Sequence, residues 1–130
     1  MDFKIIKQNE LPYYQVELSL KFNLQDLEKC YLEIINHPNW VPGLNIIWDA
    51  RKCTFDHLRA VELNAIAEMT AKYKEQRGAG LATWVVGRDV DFGIARMFQM
   101  LSEDKVIFEF CVFRTIQEAQ DCISRANQNT

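Results

Sequence analysis

Apolar and polar residues alternate strictly from Tyr14 to Phe22. Tyr14, Val16, Leu18, Leu20 and Phe22 fall on one side, and Gln15, Glu17, Ser19 and Lys21 on the other. A period of two marks a strand with one apolar face. Phe3-Lys-Ile-Ile-Lys7 reads as an earlier strand. Asn9-Glu-Leu-Pro12 reads as the turn between the two, with Pro12 setting a backbone angle that turns use. Together they predict a hairpin.

The period then changes. Asn23 is placed to cap a helix, with Asp26 three residues on and Phe22 able to pack on Leu27. Leu24, Leu27, Tyr31, Ile34 and Ile35 follow at helical spacing, up to His37-Pro38. After the loop Asn39-Trp-Val-Pro-Gly43, Leu44-Asn-Ile-Ile-Trp48 ends in three successive apolar residues, as in a strand covered on both faces. Thr54 is expected to cap a helix of about five turns, with the stripe Phe55, Leu58, Val61, Ala65, Ile66, Met69 and Tyr73. Lys72, Lys74 and Arg77 suit its negative end, and Gly78 and Gly80 stop it. Leu81–Val86 is a strand. Gly87-Arg-Asp89 leads into a helix bearing Val90, Ile94, Met97, Phe98 and Leu101. Val106–Phe113 is the last strand, and Thr115 with Glu118 forms a capping box for a last helix carrying Ile116, Ala119 and Ile123.

The order β-β-α-β-α-β-α-β-α, without repeats or linkers, predicts one α/β domain over residues 1–130. Its sheet is mixed and five-stranded, with an antiparallel start and parallel crossovers after it. Val16, Leu18, Ile46, Ile47, Val85, Phe108 and Phe110 are expected to build the interior of that sheet.

Charge narrows the partners. Fifteen Lys and Arg stand against eighteen Asp and Glu, the wrong balance for gripping a phosphate backbone, so nucleic acid is not expected. Met1-Asp-Phe-Lys opens no secretory leader, and no apolar run approaches the ~20 residues of a membrane span. Cys30, Cys53, Cys111 and Cys122 are scattered without paired spacing, as in a reduced cytoplasmic protein with four free thiols. Gln15, Glu17, Ser19 and Lys21 keep part of one sheet face polar, which points to a monomer or a weak homodimer.

Catalytic patterns are missing. Ser19, Ser102 and Ser124 sit in no nucleophile elbow, and His37 and His57 have no second metal ligand one turn away. Cys53 beside His57 reads as a packed or loop thiol rather than a nucleophile. Gly78-Ala-Gly80 follows a helix and precedes a strand, the reverse of a phosphate-cradling loop. Asp89 and Asp91 suit a helix start rather than acid–base work. The aromatic residues, Trp40, Trp48, Trp84, Phe92, Phe98, Phe108, Phe110 and Phe113 among them, read as core filler, with the lining of an apolar cavity as the alternative. No enzyme, metal or cofactor is expected.

Several segments resemble a known family. His37-Pro-Asn-Trp-Val-Pro-Gly43 with Ile46-Ile-Trp-Asp49-Ala-Arg51 is similar to the bacterial SpoIIAA-like group of STAS domains. So are Phe92-Gly-Ile-Ala-Arg-Met97 and Val112-Phe-Arg-Thr115-Ile-Gln-Glu118-Ala119. The resemblance covers residues 3 to 125. It implies helices mainly on one face of the sheet and a non-enzymatic regulatory role. In anti-sigma-factor antagonists of that group, a serine at the start of the helix after the third strand is the phosphorylation switch. Thr54-Phe-Asp-His57-Leu-Arg59 stands there instead, with Thr54 the nearest hydroxyl.

Ligands of parallel sheets gather beyond the carboxyl ends of the strands, where helix N-termini point. The junctions Asp49–Thr54, Gly87–Asp89 and Arg114-Thr115 belong at that edge and bring Arg51, Arg88 and Arg114 to it. Asp49, Arg51, Thr54, Arg88, Asp89 and Arg114 are therefore the candidate binding residues. The expected partner is another protein or a small anionic or lipophilic ligand.

Overall fold

The computed structural model describes residues 3–8 and 13–128; the turn expected at Asn9–Pro12 lies outside them. β1 (Phe3–Gln8) and β2 (Tyr13–Leu20) pair antiparallel, with Ile5 opposite Val16. β3 (Asn45–Cys53), β4 (Ala82–Val86) and β5 (Phe110–Phe113) then add in parallel, so the sheet runs β1-β2-β3-β4-β5. Each new strand lies on the same side of the last, and right-handed crossovers then put their helices on one face. That face carries α1 (Leu24–Ile35), α2 (Ala60–Lys72) and α4 (Asp89–Ser102). After β5 no strand remains to be reached. α5 (Ile116–Gln128) instead lays Ala119 and Ile123 over Ile47 and Val85 on the opposite face.

The period-two and helical stripes become the core. Val16, Leu18, Ile46, Ile47, Val85 and Phe110 are all buried as expected, whereas Phe108 is half-buried. Under the three helices, Tyr31, Trp48, Trp84 and Phe110 stack in series across the sheet, with ring centroids 6.3, 5.2 and 6.2 Å apart. Asn23 caps α1 as expected. Its side-chain oxygen accepts the Asp26 N–H at 2.8 Å, and the Asp26 carboxylate accepts the Asn23 N–H at 3.4 Å. The Thr115 hydroxyl likewise accepts the Glu118 N–H at 3.1 Å at the start of α5.

The structure departs from the sequence reading in several places, each for a local reason. β3 continues past Trp48 to Cys53, because β2 still offers main-chain partners to Asp49, Lys52 and Cys53. The final strand begins at Phe110 rather than Val106. The segment that would pair with its first half, 78–81, is a loop wrapped on the Arg77 guanidinium. In α4 the buried positions are Asp91, Ala95, Phe98 and Ser102, and Val90 is 51% exposed. The stripe is thus rotated by one residue to bring a carboxylate inward.

Thr54 is a further departure. It caps no helix, since α2 begins at Ala60, where the Arg59 N–H is held by the Glu62 carboxylate at 3.0 Å. Residues 54–59 are instead fixed as a turn. The Phe55 N–H donates to Asp91 Oδ1 at 2.9 Å, the Leu58 N–H to the Phe55 carbonyl at 2.9 Å, and His57 Nε2 meets the Phe22 carbonyl at 2.6 Å. The expected five-turn helix also breaks at Tyr73, leaving the single turn α3 (Lys74–Arg77).

This difference is measurable by urea denaturation. Asn23→Ala should cost about 1 kcal/mol through loss of the cap, and Thr54→Ala well under that. Equal losses at the two positions would contradict the assignment of the α2 start.

Candidate functional site

At the carboxyl edge of the sheet, the structure brings Arg88, Asp89 and Arg114 together. Arg88 precedes α4 and turns back onto it, donating from Nε to Asp91 Oδ2 at 2.7 Å and from Nη2 to Asp91 Oδ1 at 2.8 Å. Its Nη2 also reaches Asp56 Oδ1 at 3.1 Å. Arg114 pairs with Asp89 and donates from Nη2 to the Gly87 carbonyl at 2.8 Å. Arg51 stands apart from these two, gripped by Asp49 through Nε at 2.8 Å and Nη2 at 2.9 Å. Asp49 follows Ile47 in the strand alternation and so faces the α5 side of the sheet. Thr54 is half-buried in the turn after β3 and joins neither group.

Every arginine proposed for this edge therefore already has a carboxylate. At Arg51 and Arg88 the pairing is fork-to-fork, the strongest arrangement open to a guanidinium, which an incoming anion would have to displace, whereas Arg114 makes one contact to an exposed Asp89. Asp91 is the centre of the cluster: its side chain is 0% exposed, yet it is held on both oxygens. Burial pushes its carboxyl up, but Arg88 and the Phe55 N–H outweigh that and hold it below the ordinary carboxylate range. At Asp49 burial likewise pushes the carboxyl up, and Arg51 outweighs that and holds it lowered. The edge is a structural clasp joining β3–α2, β4–α4 and β5.

The helical face holds a different kind of site. A cavity of about 30 Å³ lies between the aromatic stack and the helices, within roughly 430 Å³ of unfilled space that reaches solvent. Trp48, Trp84 and Phe110 form its floor, Leu27, Ile66 and Met69 part of its roof, and Phe108 its outer wall. Besides the Thr70 and Ser102 hydroxyls, two polar groups break this apolar lining. The Tyr31 hydroxyl is buried and has no hydrogen-bond partner among the described residues. Arg77, 1% exposed, donates from Nη1 to the Leu44 carbonyl at 2.9 Å and from Nη2 to the Gly80 and Leu81 carbonyls, each at 3.0 Å. Its guanidinium also lies 4.7 Å from the Phe108 ring centre. Burial pulls its pKa down to about 10, which leaves it cationic at neutral pH.

Neither polar group was among the expected site residues. Arg77 continues the spacing Ile66, Met69, Tyr73, Arg77, so a charge in line with an apolar stripe was the signal for it. Asp91 is displaced by one residue from the stripe expected in its helix, and a buried acid three residues after Arg88 is a pairing distance that helices favour. Of the thiols, Cys30 and Cys53 are buried and pushed up to about 12 by that burial, which leaves them poor nucleophiles. Among the described residues no group of three or more His, Cys, Asp or Glu is placed to hold a metal ion. Nor is any described helix long and apolar enough to cross a membrane.

No family model matches the chain, and no curated protein matches it. Among solved structures, it is similar to an uncharacterised protein of the DUF3478 family from Shewanella loihica PV-4 with a SpoIIAA-like fold. The likeness covers 94% of this chain and 92% of that one, with a TM-score of 0.60 and 14% identity. The chain has a SpoIIAA-like fold.

The clasp sets an acid dependence. Because the Asp91 carboxyl titrates below its usual value, the stability it contributes is complete above about pH 4 and is lost as the pH falls through the lowered value. Asp91→Asn should cost on the order of 2 kcal/mol at neutral pH and flatten the fall in melting temperature below about pH 4. A variant as stable as the wild type, with the same acid profile, would contradict the clasp.

Proposed function

We propose that this SpoIIAA-like chain is a non-catalytic regulatory binding module, and that it binds a small molecule with an apolar body beneath α1, α2 and α4. The observation that carries this reading is the aromatic-floored cavity with an orphaned tyrosine hydroxyl in its wall. Interiors are normally packed to crystal-like density with their polar groups paired. Space and an unmet hydrogen bond together are what a ligand site offers before it is filled. The cavity's about 30 Å³ admits only a few atoms, and ligand pockets usually enclose several hundred Å³. Binding therefore requires outward movement of Phe108 and its neighbours. Residues 103–109 suit that movement, because they form turns and bends rather than a strand.

The missing phosphoacceptor serine fits this reading, because occupancy of the cavity would replace phosphorylation as the regulatory signal. Thr54, off any helix start, lacks the setting of a dipole-coupled switch.

A protein partner at the carboxyl edge is a second reading. Val61, 70% exposed, and Val90 favour it, because each stands in the first turn of its helix beside the Arg88–Asp56 pair. The acid-paired arginines weigh against a strongly charged partner there.

Native mass spectrometry of protein isolated from its own host tests the first reading. Wild type should carry a small molecule at one per chain that is released on unfolding. Ala82→Leu, which fills the cavity from the sheet side, should fold and carry none. An unoccupied wild type that copurifies at fixed ratio with a protein, and loses it on Val61→Lys, would favour the second reading.

A further inference from the structure

Buried arginines are ordinarily matched by acids, and Arg77 is the one arginine that is buried among the described residues. Arg51, Arg59, Arg88 and Arg114 each pair with an aspartate or glutamate. Among the described residues Arg77 has no such pair, although it is the most deeply buried of them. Main-chain carbonyls take three of its five N–H groups, and the Nε–H and one Nη1–H lie outside those three bonds. Those carbonyls are dipoles rather than charges, so the net positive charge stays uncompensated in an apolar wall.

Tyr31 completes the setting. It lines the same cavity, is 3% exposed, and holds its hydroxyl without a partner. The Arg77 charge acts on it directly, favouring its ionised form against burial. The other hydroxyls in the lining are already used on their own helices: Thr70 donates to the Ile66 carbonyl at 3.0 Å and Ser102 to the Phe98 carbonyl at 2.8 Å. Within the cavity, the unmet capacity is thus one cation with two N–H groups outside its three bonds and one phenolic donor, above an aromatic floor.

We infer that the ligand of this cavity is a small apolar monocarboxylic acid, its carboxylate received by Arg77 and the Tyr31 hydroxyl and its body lying on Trp48 and Trp84. The inference rests on the cavity reading above and names the chemistry that site takes. One carboxylate neutralises one guanidinium and accepts from its Nε–H and Nη1–H and from the phenol. A phosphate dianion would bring a second charge with no second cation in the lining. A neutral apolar molecule would leave Arg77 buried and unpaired.

Matched probes that differ only in the head group test this. Phenylacetate and phenylacetamide, and octanoate and octanamide, are titrated calorimetrically into the wild-type chain at neutral pH. Each acid should bind at least about tenfold more tightly than its amide, the scale of one charge-assisted contact made in a buried site. Tyr31→Phe removes an orphaned group and should fold as well as wild type, while weakening the acids about fivefold and the amides by less, because the charged acceptor makes the stronger bond to the phenol. Arg77→Met should abolish the preference for acids; if that chain does not fold, the Tyr31→Phe result decides. Amides that bind wild type as tightly as the acids would overturn the carboxylate assignment and leave the cavity reading standing. An acid preference that survives Tyr31→Phe undiminished would also overturn it. If neither acid nor amide binds, the cavity reading itself fails, and this inference with it.

Discussion

The guanidinium of Arg77 is the point on which the cavity-bearing half of the structure depends. It draws the carbonyl of Leu44, just before β3, and those of Gly80 and Leu81, just before β4, onto one centre, and so sets where two neighbouring strands begin. Its own main-chain carbonyl accepts the Gly43 N–H at 2.9 Å. The loop at 42–44 is thereby pressed so close that a Cβ on Gly78 would lie 2.3 Å from Gly43 N, and one on Gly80 would lie 2.2 Å from Gly43 O. Gly78 also adopts φ +73°, open to glycine at little cost. Burying a charge is expensive, and here three hydrogen bonds and the rings of Phe108 and Trp40 offset part of that expense.

That arrangement explains the cavity. Residues 78–81 are engaged by Arg77, so the chain at 106–109 has no strand to pair with and folds over as a wall. Phe108 covers the guanidinium instead of entering the sheet. The aromatic floor exists because Trp48 and Trp84 sit opposite each other in the β3–β4 register, while Phe110 enters two residues away on the same face, opposite Ala82. Small Ala82 leaves the space that a larger residue would fill. At the other end of the strands the logic is reversed: each arginine meets its own acid, and the chain closes on itself.

The architecture was legible in the sequence because strand and helix periods are long signals averaged over many residues. The alternation carried into structure at Tyr14, Val16 and Leu18, with the strand ending at Leu20 short of Phe22, and the Asn23 and Thr115 caps carried over directly. Single-residue boundaries were not legible, since contacts far apart in sequence decide them. Thr54 looks like a cap until the Asp91 carboxylate, 37 residues on, captures the Phe55 N–H. The candidate site followed the same division. Sequence brought Arg51, Arg88 and Arg114 to an edge, but only geometry shows that each is already paired. Arg77 read as a solvated charge at a helix end until the loop at 37–44 folded across it.

The proposed binding at the interior guanidinium, rather than at the carboxyl edge, distinguishes Arg77 from the other arginines. Nitrogen-15 NMR of arginine-labelled protein, following the side-chain Nε–H resonances during titration with phenylacetate, tests this most directly. The Arg77 resonance should move and saturate near one equivalent, while those of Arg51, Arg88 and Arg114 stay in place. Movement of the edge arginines with Arg77 unmoved would contradict the account.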